Sequence, residues 1–151
     1  MNEFNRLVDA GEFLEHAQVF DNSYGTARRP VEAALAAGQD LILEIYWQGA
    51  AQVRAALPEC VSIFILPPSR AELERRLRGR GTDAEPVIQR RLRDAAADMT
   101  HWREFDHVVV NDRFDQALRE LQDIVAGSGE ATSNDRTGLE ELAAALTEER
   151  G

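Results

Sequence analysis

The sequence contains three short apolar runs, each followed by a segment with the spacing of a helix. The runs are residues 41–45, 61–66 and 107–110. Apolar strands that alternate with helices are typical of a parallel sheet that is covered on both faces. In such sheets ligands bind beyond the carboxyl ends of the strands. The pattern predicts an α/β fold with one crevice, lined by the residues that end these runs: Glu44, Tyr46, Pro67, Pro68, Asn111 and Asp112.

The segments between these runs carry ordinary signals for helices, turns and one further strand. A short helix is predicted over 3–10, ended by Gly11, and residues 12–20 alternate as a strand does. Residues 21–26 read as a turn, followed by a helix that begins near Pro30 and ends at Gly38. Further helices are predicted over 48–57, 69–78, 86–99 and 114–125, then a flexible linker over 127–135 and a loosely attached short helix over 139–146.

Length and composition limit the classes of protein that this chain can join. Its 151 residues suffice for one compact domain, and 44% of them are hydrophobic. A net charge of −10 argues against binding to nucleic acid or to anionic membranes. No run approaches the roughly 20 apolar residues that cross a bilayer, and the first residues lack the apolar core of a signal peptide. With Cys60 as the single cysteine, these features predict a cytoplasmic protein.

The positive charge of this acidic chain is carried by arginine alone, and much of it is local. All 17 basic residues are arginine, and eight of them lie between positions 70 and 93. Arg76 and Arg80 are four residues apart near the glycines of "RGRG", and Arg91 comes from the next predicted helix. Guanidinium groups that converge could neutralise a transferring phosphoryl group. The alternative is an exposed helix with ion pairs four residues apart, such as Glu72 with Arg76.

A carboxylate and two hydroxyls near the amino terminus form a second candidate site. Glu15 lies on the predicted strand, and the tripeptide "YGT" supplies Tyr24 and Thr26. A carboxylate can accept hydrogen bonds from two adjacent N–H groups of guanine, while a tyrosine hydroxyl can donate to a phosphate. A threonine hydroxyl can reach a base carbonyl. The alternative is a solvated strand face followed by an ordinary turn.

Read in order, the motifs of this chain resemble those of the guanylate kinase family, which transfers a phosphoryl group from ATP to GMP. The matching segments are "GEFLEHAQVFDNSYGT", "LILEIYWQGAAQVR", "SIFILPPSRAELERRLRGRGTD", "IQRRL" and "VVVND". The resemblance implies an incomplete P-loop NTPase-like parallel sheet flanked by helices over 1–126. Part of a GMP-binding subdomain would lie in 1–38 and an arginine-rich lid at about 79–90. Residues 127–151 would form the linker and the short helix.

The resemblance also implies roles for the residues that match the family motifs. ATP and GMP would be the substrates, with Mg²⁺ carried by the ATP. Arg76, Arg80 and Arg91 would be catalytic, the first two closing over the ATP phosphates, and Asn111 would lie beside the adenine. The implied GMP-binding residues are Glu15 and Thr26 at the guanine, Tyr24 at the phosphate, Glu44 near phosphate and magnesium, and Tyr46.

The chain departs from the family pattern at three places. The P-loop motif G-x-x-x-x-G-K-[ST] does not occur, and the sequence has no lysine to serve in one. Tyr46 stands where the family has aspartate, and Arg113 stands where it has a second aspartate. We therefore expect a guanylate kinase recorded without its P-loop segment, and no catalysis by these residues alone. The alternatives are a non-catalytic module that binds nucleotide or protein, as in scaffold proteins, and the product of a decaying gene.

Overall fold

The structure is a computed structural model that describes residues 2–19, 22–81, 83–135 and 137–147. By its internal contacts the chain divides into two compact units, Met1–Cys60 and Val61–Gly151. Within the described ranges, no helix is both long enough and apolar enough to cross a membrane. Each unit is described by itself below.

The first unit consists of a β-hairpin and three helices. Its elements are α1 (Glu3–Asp9), β1 (Phe13–Val19), β2 (Asn22–Ala27), α2 (Arg28–Ala36) and α3 (Trp47–Ala56). The predicted helices are confirmed, and Gly11 and Gly38 end the first two in the left-handed conformation that glycine tolerates. The core of the unit is formed by Leu14 of β1, Val31 of α2 and Val53 of α3.

The predicted turn over 21–26 is wrong, because most of this segment is a strand. β2 pairs with β1 in the antiparallel sense, so that Thr26 lies opposite Glu15 and Tyr24 lies opposite Ala17. Asn, Ser and Gly favour turns, and their presence in this segment is the reason for the wrong prediction. Gly25 has a different reason to be glycine: a Cβ there would lie 2.7 Å from Cε1 of Phe13. An aromatic ring covers this strand position and leaves no room for a side chain.

The strand predicted over 41–45 is also wrong, since this segment has no regular secondary structure. Leu43 and Ile45 pack against the core of the unit, whereas Ile42 is 82% exposed. An apolar run is not sufficient for a strand, because a strand also needs a neighbouring backbone with which to pair. Among the described residues this segment has no such ladder partner.

The second unit contains a short parallel sheet flanked by helices, which confirms the predicted α/β class. β3 (Ile63–Leu66) and β4 (His107–Val110) pair in register from Ile63 and His107 to Leu66 and Val110. The connection between them contains α4 (Arg70–Gly79) and α5 (Glu85–Met99), and α6 (Phe114–Val125) and α7 (Leu139–Thr147) follow β4. Because both strands end together, Pro67 and Asn111 begin the loops at the same edge of this sheet.

The carboxyl-terminal helix α7 is part of the core of the second unit. Its residues Leu139, Ala143 and Leu146 are buried in a cluster with Leu66 and Val108. They recur every three or four residues, so they form one apolar face of the helix. The expectation that this helix is loosely attached is therefore wrong.

The segment before α7 differs from the flexible linker that its composition predicted. Residues Glu130–Thr132 form a short 3₁₀ turn, and Thr132 is only 2% exposed. Its hydroxyl donates to the carbonyl oxygen of Gly129 at 3.0 Å and lies 3.2 Å from Nδ1 of His107. Glycine and serine favour flexible chains, but here the backbone of Ser133 pairs with that of His107, the first residue of β4.

Candidate functional site

Glu15 is a buried carboxylate at the centre of the candidate site near the amino terminus. It is 4% exposed, and its Oε1 atom accepts a hydrogen bond from the Thr26 hydroxyl at 2.6 Å. The hairpin creates this contact, because the two residues are partners across β1 and β2. A buried carboxylate is costly unless it is hydrogen-bonded, so a solvated strand face is excluded as the explanation for Glu15.

The other carboxylate oxygen of Glu15 lies against the first turn of α3. A Cβ built on Gly49 would lie 2.1 Å from Glu15 Oε2 and 2.7 Å from its Cδ atom. Negative charge is favourable near the amino terminus of a helix, where unpaired N–H groups point outward. Sequence reasoning missed Gly49. Its signal was a glycine inside a helix, which costs helical stability and therefore needs a structural reason.

Gln52 connects α3 to the strand residue that follows Glu15. Its Oε1 atom accepts from the His16 N–H at 2.9 Å, and its Nε2 atom donates to the His16 carbonyl oxygen at 2.7 Å. The side-chain amide thus pairs with the backbone of β1 as a neighbouring strand would. Sequence reasoning missed this residue as well, because nothing in the pattern of a single helix reveals such a partner.

Two tyrosines of the predicted GMP site lie together in the first unit. The ring centroids of Tyr24 and Tyr46 are 5.5 Å apart and their planes are tilted by 55°. Tyr46 is the residue that precedes the first turn of α3, and both rings are about two-fifths exposed, at 44% for Tyr24 and 40% for Tyr46. Glu44, two residues earlier, is exposed in the segment without regular structure.

Arg76 joins α4 to the end of β4 in the second unit. Its Nε atom donates to Glu72 Oε1 at 3.0 Å, and its Nη1 atom donates to the Asn111 carbonyl oxygen at 2.9 Å. The structure therefore brings together Arg76 and Asn111, two residues that were predicted to bind the same nucleotide. The ion pair with Glu72 is the one that the alternative explanation named, and the role of Arg76 at a nucleotide stays a prediction.

Other arginines of α4 are held by surface carboxylates. Arg75 and then Arg76 donate to Glu72 and lower the pKa of that carboxyl to about 2. Arg78 lies between Glu74 of α4 and Glu85 of α5, and its hydrogen bonds lower the pKa of Glu85 to about 2. The ion-pair explanation of the arginine-rich helix is thus correct for Arg75 and Arg78.

The remaining predicted phosphate ligands are Arg80, in the loop between α4 and α5, and Arg91, in α5. Arg80 follows α4 directly and is exposed, and it forms no ion pair with any residue that the structure describes. Gly81 adopts a left-handed conformation with φ of 68°. Nη1 of Arg91 lies 3.2 Å from Oδ2 of Asp83, a largely buried carboxylate. The convergence of Arg76, Arg80 and Arg91 on one phosphoryl group stays a prediction.

The described fold and site are those of a mixed α/β protein with a buried acidic site on a hairpin and an arginine-rich connection across a parallel strand pair. The family model described as guanylate kinase matches residues 1–128. This chain belongs to the guanylate kinase family. The domain limits predicted inside this match, including the lid at about 79–90, stay predictions.

Individual relatives agree with the family match. The guanylate kinase of Chromohalobacter salexigens is 61% identical over 122 residues, which are 81% of this chain and 57% of that protein. The guanylate kinase of Hydrogenovibrio crunogenus is 56% identical over 131 residues, 87% of this chain and 64% of the relative. The chain thus spans about three-fifths of the length of these curated relatives.

A solved structure gives the same result at the level of the fold. The crystal structure of guanylate kinase from Anaplasma phagocytophilum is 34% identical in sequence and aligns with a TM-score of 0.67. The alignment covers 97% of this chain and 72% of the solved chain. The resemblance stated from the sequence motifs is therefore confirmed.

Proposed function

We propose that this chain supplies the GMP-binding and arginine-bearing parts of an enzyme that transfers phosphoryl from ATP to GMP and releases ADP and GDP. The observation that carries the proposal is the buried Glu15 carboxylate, held by Thr26 within the family match. The printed 151 residues contain no P-loop motif and no lysine, so the proposal concerns the reaction to which they contribute.

The chemistry of Glu15 suits guanine. The base presents an N1–H and an exocyclic N2 amine side by side, and a carboxylate can accept from both at once. Thr26 uses one lone pair of Oε1, which leaves acceptor capacity on both oxygens. Adenine presents an acceptor at N1 and no 2-amino group, so an ionised carboxylate repels it. In the same unit, Tyr24 would donate its hydroxyl to the GMP phosphate.

The arginines of the second unit suit phosphate groups. Phosphoryl transfer depends on positioning and on neutralising charge that spreads over the transferring oxygens. We assign this role to Arg76, Arg80 and Arg91, with Asn111 beside the adenine of ATP. In support, Arg80 is exposed with no ion pair among the described residues, and Arg76 contacts the backbone of Asn111.

The proposed Mg²⁺ would be held mainly by the substrates. Among the described residues no cluster of three or more histidine, cysteine or carboxylate side chains could hold a metal. Magnesium that accompanies a nucleotide needs only one or two protein carboxylates besides the phosphates, and the exposed Glu44 fits that requirement. When bound, the ion would neutralise charge on the β- and γ-phosphate oxygens.

A nucleotide titration tests the proposed function directly. The 151-residue chain should bind GMP weakly but in preference to AMP in a calorimetric titration, because only part of the phosphate site is present. Glu15→Gln should remove that preference, since an amide in this position offers one acceptor and two donors. Glu32→Gln, an exposed change on α2, should leave it intact. Equal binding of GMP and AMP by the unaltered chain would contradict the proposal.

Turnover and gene context provide a second test. We expect no ATP-dependent formation of GDP by the purified 151-residue chain, because the P-loop amides and lysine supply most of the phosphate cradle. Measurable turnover that Arg80→Ala abolishes would contradict this expectation. An in-frame G-x-x-x-x-G-K-[ST] motif encoded upstream of Met1 would support the proposal that these residues belong to a phosphoryl-transferring enzyme.

One observation favours a second candidate function, a non-catalytic nucleotide- or protein-binding module. Tyr46 replaces a family aspartate in the predicted GMP site and packs against Tyr24. In-frame stop codons upstream of Met1, together with retained GMP preference, would favour this module over the enzyme.

A further inference from the structure

The carboxylate of Glu15 occupies the space that a side chain at position 49 would fill. A Cβ carbon lies more than about 3 Å from the atoms it contacts without bonding, but a Cβ on Gly49 would lie 2.1 Å from Oε2 and 2.7 Å from Cδ of Glu15. An alanine at position 49 would therefore displace the carboxylate by roughly 1 Å. Glu15 cannot swing into solvent to relieve this contact, because it is 4% exposed and bonded to Thr26.

The second contact of α3 with β1 fixes the backbone beside Glu15. Gln52 lies three residues after Gly49, so both residues are on one face of the helix. Its two hydrogen bonds, of 2.9 and 2.7 Å, join both backbone groups of His16. These two hydrogen bonds fix the position of β1 along the axis of α3. Consequently they also set where the side chain of the preceding residue, Glu15, meets the helix.

We infer that Gly49 and Gln52 are positioning residues that hold the Glu15 carboxylate in the direction needed to distinguish guanine from hypoxanthine. The inference rests on the proposed function, because it assigns specificity to the same site. Hypoxanthine lacks the exocyclic amine of guanine but keeps the N1–H. A carboxylate held in one orientation accepts from both donors of guanine, whereas a displaced or mobile carboxylate loses the second contact. The helix face thus contributes base specificity without touching the base.

The affinities of GMP and IMP for the full 151-residue chain test this inference. The unaltered chain should bind GMP at least about tenfold more tightly than IMP, the difference expected for one hydrogen bond to a charged group. In Gly49→Ala the ratio should fall toward one. Gln52→Ala should lower it by a smaller factor, since it removes no space from the carboxylate. A ratio of two affinities does not change when a variant merely unfolds in part, so a purely structural role would leave it unchanged.

A matched control is available in Gly129, another glycine in close contact. A Cβ there would lie 2.8 Å from Cγ1 of Ile124, in the second unit. Gly129→Ala should lower stability through crowding but leave the GMP to IMP ratio unchanged. If Gly129→Ala lowers the ratio as much as Gly49→Ala, the loss of base preference does not depend on the contact between Gly49 and Glu15, and the inference is overturned.

A double-mutant cycle on stability separates this inference from the proposed function. Gly49→Ala should destabilise the unaltered chain in urea but cost much less in a Glu15→Ala background, where the carboxylate is gone. Additive costs would overturn the contact on which the inference depends. Equal affinities of the unaltered chain for GMP and IMP would overturn the proposed function and the specificity role together. A normal ratio retained in Gly49→Ala would overturn the inference alone.

Discussion

Thr26 donates its hydroxyl hydrogen to Glu15 Oε1 across the β1–β2 hairpin, at 2.6 Å. The hairpin register makes the two residues direct partners, so the contact does not depend on a long or mobile side chain. Because Glu15 is buried, this hydrogen bond offsets part of the cost of removing a carboxylate from water. The same pair therefore stabilises the hairpin of the first unit and belongs to the site for which recognition of guanine is proposed.

Thr26→Val tests this double role. Valine keeps the shape of threonine but removes the donor, so a buried acceptor loses its partner, which costs about 1–3 kcal/mol. We expect urea denaturation to show that loss and calorimetry to show weaker GMP binding. Ser23→Ala on the same strand removes an exposed hydroxyl and should change neither quantity. Unchanged stability of Thr26→Val would show that the hydroxyl does not support the carboxylate.

The sequence predicted most helices and the parallel pair because their signals are local. Ser69 is an example: it is the N-cap residue of α4, as predicted, and its Oγ atom accepts a hydrogen bond from the Glu72 N–H at 3.1 Å. The errors concern relations between segments. Gly25 favours a turn by its residue type, but its actual role is to leave room for the Phe13 ring. The apolar residues 41–45 favour a strand, although no described backbone pairs with them.

The sequence likewise predicted only part of the candidate site. Family motifs identified Glu15 and Thr26 as a pair of interest, and the structure brings them into contact. Gly49 and Gln52 were missed because their roles depend on how α3 packs against β1, which no single segment encodes. Residues that bind a ligand can be found by motif, whereas those that position a ligand-binding residue require the tertiary structure.

Leu146→Ala tests the finding that α7 belongs to the core of the second unit. Leu146 is 1% exposed and packs in the cluster with Leu66 and Val108. Truncating a buried leucine removes apolar contacts and leaves a cavity, at a cost of about 2–5 kcal/mol. Leu118→Ala, on a side chain that is 44% exposed, should cost much less in the same denaturation experiment. Equal costs would mean that α7 does not pack as described.

Asp106 and Ser62 offer a test of the connection between β3 and β4. Asp106 Oδ2 accepts from the Ser62 N–H at 3.0 Å and from its hydroxyl at 3.1 Å, just before both strands begin. Asp106→Ala leaves two donors of the buried Ser62 without an acceptor, so we expect a loss of about 1–3 kcal/mol of unfolding free energy. Asp106→Asn keeps one oxygen acceptor and should recover part of that loss. If both variants lose the same unfolding free energy, the oxygen acceptor at position 106 does not stabilise the fold.

The ion pair between Arg78 and Glu85 predicts a specific dependence of stability on pH. Hydrogen bonds from Arg78 lower the pKa of Glu85 from 4.5 to about 2 in the folded chain. A lowered pKa in the folded state stabilises the fold above the unfolded value and ceases to do so as the pH falls through the folded value. Glu85→Gln should therefore flatten the dependence of the thermal midpoint on pH between 4.5 and about 2.

The control for this pH experiment is Glu59→Gln, which alters an exposed carboxylate that forms no ion pair with a described residue. Its midpoint should follow that of the unaltered chain over the same range of pH. Because the Glu85 side chain is 57% exposed, added salt should reduce the difference between Glu85→Gln and the unaltered chain. A difference that salt leaves intact would contradict a surface ion pair.

Tyr46→Asp tests how much the departure from the family motif alters the proposed site. Tyr46 precedes α3 without capping it through its side chain, and aspartate is among the residues preferred there. We expect the change to stabilise α3 by about 0.5–2 kcal/mol through capping, less the packing lost against Tyr24. A carboxylate at the start of α3, whose first turn contacts Glu15 at Gly49, would also offer another acceptor to the guanine amine, so GMP affinity should rise relative to IMP. Tyr46→Asn supplies a similar cap without the charge. If Asp and Asn variants show the same GMP to IMP ratio, the lost family carboxylate had no part in reading the base, and Tyr46 affects only the start of α3.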